Sequence, residues 1–282
     1  MAAPGTQDDI PLGKPVLALD IDEVCAQFVP ALIRYHNEKY LLRARSFLLN
    51  AGRPLPGQIK FALESCTVLT AGLEFIIGRS RYGTDLKVET FHSYRFAEVW
   101  GGTDEDSVTK VFDFFTTRHF LEDLEPVDGS VDAVTALVRA GFDVIGVTSR
   151  QLVIEDATRT WLERHFQGLF RDVCCGNHWV PNAANPDLTA EGVIKKTKRE
   201  MVEAIGAVAL VDDSCKYVQE LQGSAGGPNY RKSILFGNYA WNQAEPGSLP
   251  TNCTRVENWD EALEELLPLL DGESSGTALA KA

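Results

Sequence analysis

The sequence predicts an α/β protein, a doubly wound parallel sheet carrying an inserted, mainly helical cap. Three observations lead there. Short apolar runs alternate with amphipathic segments of helical length, the pattern of a parallel sheet covered on both faces. About 120 residues separate the first apolar run from the second, far more than one crossover helix needs. Three of the runs end in polar clusters, as strands do where they deliver side chains to a ligand.

In chain order, the first strand is read from "VLALDI" at 16–21, and the following interval, residues 25–125, is read as the cap. Its later part, "HSYRFAEVWGG" and "DEDSVTKVFDFFTTRHF", is aromatic with helical character. The core resumes with the amphipathic "SVDAVTALVRAG" (130–141) and the strand "FDVIGVTS" (142–149). "IEDATRTWLERHF" (154–166) is the next helix and "RDVCCG" (171–176) the next strand. Then come the helix "KREMVEAIGA" (198–207) and the strands "AVALVDD" (207–213) and "SILFG" (233–237). The core therefore comprises residues 14–24 and 126–270. Residues 1–13 and 271–282, small and polar, are expected to be flexible ends.

Composition narrows the function. A net charge of −13 and a pI near 4.9 repel polyanions, so nucleic-acid polymers and anionic membranes are poor partners. A small phosphorylated substrate would need a strong local cation. The six cysteines lack metal-site spacing and read as buried thiols of a reducing compartment. No basic-then-apolar leader pattern opens the sequence, and the expected location is the cytoplasm.

The polar clusters suit phosphate-ester chemistry. The first strand ends in Asp20, Asp22 and Glu23, the second in Thr148, Ser149 and Arg150, the fourth in Asp212, Asp213 and Ser214. Clustered carboxylates repel one another, so a bound cation is the direct account of so many at one strand end. Asp20 suits a carboxylate nucleophile, and Asp22 suits a proton donor and acceptor for the leaving oxygen and then water. Asp20, Asp212 and Asp213 form an all-oxygen set suited to Mg2+. Thr148 and the backbone after it stand where phosphate oxygens can be held. Lys195, Lys196 and Lys198 each precede the helix leading to "VALVDD", and any of them is a candidate phosphate lysine.

"DIDEV" at 20–24, "VTSR" at 147–150, a lysine before a helix and "LVDDS" at 210–214 together resemble the four signature motifs of the haloacid dehalogenase superfamily. Its members are mostly Mg2+-dependent phosphatases. "FVPALIRYHNEKY", the aromatic cap and "LFGNYAWN" are similar to the group related to the 5′(3′)-deoxyribonucleotidases. The resemblance implies Asp20 as nucleophile, Asp22 as acid and base with its backbone carbonyl toward Mg2+, and Thr148 and Ser149 at the phosphate. It also selects Lys198 among the lysines and Asp213 over Asp212 as the direct metal ligand. Relatives hold a base between cap aromatics, for which Phe28, Phe91, Tyr94, Phe96 and Trp100 are candidates, with Arg150 beside them.

The expected partner is a nucleotide or another small phosphate monoester such as a sugar phosphate, with a homodimer as the expected assembly. A non-catalytic binding protein of the same fold is the competing reading, which intact Asp20, Asp22 and Asp213 oppose. Residues 41–81 carry six basic and two acidic residues within a chain of net charge −13, and they separate "YHNEKY" from "YGTDL". The interval is read as an atypical insertion in the cap.

Overall fold

The computed structural model describes residues 13–41, 86–177, 195–223, 225–244 and 247–270. The expected insertion at 41–81, apart from Leu41, and the expected flexible ends, apart from Gly13, lie outside the described residues.

Six parallel strands form one sheet: β1 (Val16–Leu19), β2 (Asp143–Thr148), β3 (Phe170–Cys175), β4 (Ala207–Asp212), β5 (Lys232–Phe236) and β6 (Cys253–Val256). Their order is β3-β2-β1-β4-β5-β6, so the chain leaves β1 in one direction and returns to its other side with β4. The doubly wound sheet expected from the alternation is what forms. The edge strand β6 was not foreseen, because four half-buried residues, "CTRV", give too short a pattern to read.

Alternation along β1 decides the two faces. Leu17 and Leu19 point into a core shared with α5 (Ser130–Ala140), α6 (Glu155–Phe166) and α9 (Trp259–Leu266). Ala18 points the other way, joining Ile145, Val147 and Leu210 under Met201 and Val202 of α7 (Lys198–Ile205). Helix α8 (Cys215–Glu220) follows β4.

Between β1 and α5 the described chain is helical: α1 (Phe28–His36), a π-turn at Asn37–Leu41, α2 (Phe96–Trp100), α3 (Asp104–Phe115) and α4 (Arg118–Leu121). Thr103 starts α3 through a capping box, its hydroxyl accepting from the Asp106 N–H. The aromatic residues of this region pack on one another, with Phe114 touching Phe28, Tyr35, Phe115 and Phe120. The two chain segments that join these helices to the sheet run side by side. The Gln27 N–H donates to the Glu125 carbonyl at 2.9 Å and the Val127 N–H to the Cys25 carbonyl at 2.8 Å.

Candidate active site

The site lies beyond the carboxyl ends of β1, β2 and β4, at the reversal of strand order. Lys198 is its buried hub. Thr197 caps α7 in a capping box with Glu200, which makes Lys198 the first helical residue and aims it at the sheet. Its ammonium, with no solvent exposure, stands 2.7 Å from Asp20 Oδ1 and 2.9 Å from Asp212 Oδ2, and donates to the Val147 carbonyl at 2.6 Å. Burial acts to lower its pKa, but Asp20 and Asp212 outweigh it and hold the ammonium above its ordinary value. Lys195 and Lys196, the other two candidates, are exposed. The sequence "TKRE" already contained the cap that separates the three.

Asp20 Oδ1 also accepts from the Ile21 N–H at 2.8 Å, so both of its described donors fall on one oxygen and Oδ2 is left for chemistry. Desolvation pushes the Asp20 carboxyl upward, against the pull of Lys198. Asp212 accepts from the Ser214 N–H through Oδ1 and faces Lys198 through Oδ2, which makes it the lysine's anchor.

Asp213 is held differently. Its Oδ2 accepts from Trp241 Nε1 at 2.7 Å and from the Tyr94 hydroxyl at 3.0 Å, while Tyr239 stacks on Trp241 with centroids 4.4 Å apart. Burial, Asp212 and Asp20 push its carboxyl well above the usual range. Asp20, Asp212 and Asp213 each offer an oxygen within 4.8 Å of the others. One ammonium among three buried carboxylates leaves two negative charges uncompensated, the charge of a divalent cation, and an all-oxygen donor set fits Mg2+.

Asp22 is not part of that cluster through its carboxylate. Arg150 takes it instead, Nη2 at 2.6 Å from Oδ1 and Nε at 3.2 Å from both oxygens. Arg150 thus borders the cavity with its guanidinium engaged by protein. Glu23 turns away as well, in a left-handed conformation (φ 60°), and accepts the Val29 N–H in the first turn of α1. Burial raises its carboxyl to about 8. Thr148 is fully buried, and its hydroxyl oxygen accepts from the Arg150 N–H at 3.2 Å. Ser149 donates to the Tyr217 hydroxyl at 2.9 Å.

A cavity of about 500 Å³ opens above these groups. Its floor is Asp20, Asp22, Ser149 and Asp213, and its wall is Phe28, Tyr94, Phe96, Val108, Val111, Phe112 and Phe115. Trp100 and Phe91, expected as stacking candidates, do not line it. Both are fully buried, Trp100 lying 5.3 Å from the His36 ring and parallel to it, with its Nε1 donating to Ser107. Helix packing spends these rings on the core. Val108, Val111 and Phe112 were missed because spacing along α3 does not say which face is left open, and Tyr217 because no pattern announces it.

Fold and site together resemble those of phosphatases of the haloacid dehalogenase superfamily. The family model described as "5′ nucleotidase, deoxy (Pyrimidine), cytosolic type C protein" matches residues 63–179, and the chain is similar to that family over this stretch. Among solved structures, that of a predicted phosphatase from Clostridium acetobutylicum is similar over 91% of this chain and 99% of its own, at 14% identity and a TM-score of 0.51. One of a similarly described Clostridium difficile protein gives the same coverage, identity and score. These two likenesses concern the fold. No match to a curated protein was found.

Proposed function

We propose that the protein hydrolyses nucleoside monophosphates, deoxynucleotides among them, through a phosphorylated Asp20. The observation that carries the reading is the union of the Asp20–Lys198–Asp212 cluster with a cavity whose opposite wall is aromatic and aliphatic. A phosphate on the floor and a planar, largely apolar group against the wall are what such a cavity accepts. The matched family acts in the same sense by its description.

In this mechanism Asp20 Oδ2 attacks phosphorus, forming an acyl-phosphate as the ester P–O bond breaks, and Asp22 gives its proton to the departing oxygen. Asp22 then takes a proton from water, which attacks the same phosphorus, returning Asp20 as carboxylate and releasing inorganic phosphate. Lys198 balances charge at Asp20, and the Thr148 and Ser149 hydroxyls stand beside the phosphate. Asp20 and Asp213, with the Asp22 backbone carbonyl, would hold Mg2+. When bound, the ion supplies charge neutralisation between phosphate and nucleophile.

Purified protein assayed against nucleoside monophosphates and sugar phosphates, with Mg2+ and with chelator, tests the reading. Preferred turnover of nucleotides, lost on chelation and restored by Mg2+, is expected. Preference for sugar phosphates would refute the substrate, and full activity under chelation would refute the metal. We also propose a cytoplasmic homodimer. The five described free thiols, Cys25, Cys174, Cys175, Cys215 and Cys253, suit a reducing compartment, and light scattering gives the assembly.

A further inference from the structure

We infer that Arg150 is a positioning residue that aims Asp22 at the leaving oxygen. The inference rests on the proposed role of Asp22.

All three guanidinium nitrogens of Arg150 are engaged by protein, and the side chain, though it borders the cavity, is only 2% exposed. Nη1 donates to Thr158 Oγ1 at 3.0 Å, and that hydroxyl in turn donates to the Ile154 carbonyl. The plane of the guanidinium lies over the Phe120 ring, 5.1 Å from its centroid. The remaining edge faces Asp22. A group locked in this way has no freedom to follow a substrate, so its effect on the reaction passes through the carboxylate it holds.

The contacts on Asp22 are unequal. Oδ1 receives Nη2 at 2.6 Å and Nε at 3.2 Å, whereas Oδ2 receives Nε alone at 3.2 Å. Oδ1 is therefore the anchored oxygen and Oδ2 the less constrained one, with the rotamer of Asp22 fixed by the two-pronged contact. Phe120 adds a mechanical link, since it lies in α4, just before the segment that joins the helical region back to the sheet.

The test compares Arg150→Gln, Arg150→Lys, Asp22→Asn and the double variant Asp22→Asn/Arg150→Gln on nitrophenyl phosphate and on an alkyl phosphate. Nitrophenolate departs without help, whereas an alkoxide needs the proton. Arg150→Gln should lose roughly 10²-fold in kcat on the alkyl ester and only a few-fold on the nitrophenyl ester. Arg150→Lys keeps the charge but not the two-pronged contact, and should show the same asymmetry at smaller size. Adding Arg150→Gln to Asp22→Asn should cost nothing further on the alkyl ester. If Arg150→Gln, or Arg150→Lys should Gln fail to fold, loses equally on both esters or loses nothing, the proposal is overturned while Asp22→Asn retains its own asymmetry. If Asp22→Asn itself shows none, the role of Asp22 falls and the proposal with it.

Discussion

Lys198→Met should destabilise the protein and do so increasingly as pH rises. The side chain is fully buried, so the substitution removes an ammonium 2.7 Å from Asp20 and 2.9 Å from Asp212 while keeping most of its volume. Each contact is worth roughly 6 kcal/mol at an effective dielectric constant near 20. Against this stands the ammonium's own desolvation, several kcal/mol, and a buried pair broken on one side typically leaves a net loss of about 3–5 kcal/mol. For a chain of this size that is a fall in Tm of roughly 10 °C.

Without the ammonium, Asp20 loses the cation that draws its carboxyl down and keeps the burial that raises it. A carboxyl whose folded pKa lies above its unfolded one contributes stability below the unfolded value and loses it as pH climbs through the folded value. Burial already holds Asp20 at about 7 in the wild type, so the deficit relative to wild type should be smallest at acid pH and grow as pH climbs through 7. Thermal melts of Lys198→Met, with exposed Lys196→Met as control, measure this directly. A Tm within 2 °C of wild type at pH 8 would refute the electrostatic account (about 1 kcal/mol or less by the same scaling), as would a deficit independent of pH.

Asp20→Asn should lose roughly 10³-fold or more in turnover with the fold intact, since an amide cannot form the acyl-phosphate, and phosphate release with a parallel melt checks it. His36, buried against Trp100 and Tyr40 with Lys110 nearby, has its pKa lowered to about 4 by burial and then by Lys110. Its depressed value means stability complete above the unfolded pKa near 6.5 and lost as pH falls toward 4, by about 2–3 kcal/mol. Melts from pH 7 to 4 should flatten in His36→Phe over that window, and an unchanged slope would contradict the assignment. Gly237 has φ of 78°, and a Cβ there would overlap the Tyr239 ring. Gly237→Ala should cost roughly 2 kcal/mol or more and disturb the Tyr239–Trp241 stack on Asp213. Lowered Mg2+ affinity by calorimetry is the expected sign, and wild-type stability would refute it.

The alternation of apolar runs and amphipathic helices determined the sheet, and the polar residues closing β1, β2 and β4 determined where the site lies, because a strand end is a local event that few neighbouring residues specify. Lys198 was within reach on the same terms, through the capping box that places it first in α7. Glu23 was legible only as a third carboxylate. Its turn toward α1 depends on a left-handed backbone and on a helix N-terminus that spacing does not reveal. Other partnerships belong to the tertiary structure alone. Tyr94 reaches Asp213 across 119 residues and Arg150 reaches Asp22 across 128. Whether an aromatic residue such as Trp100 or Phe28 faces a cavity or a core is likewise decided when helices dock, since both fates bury the same apolar ring at the same helical spacing.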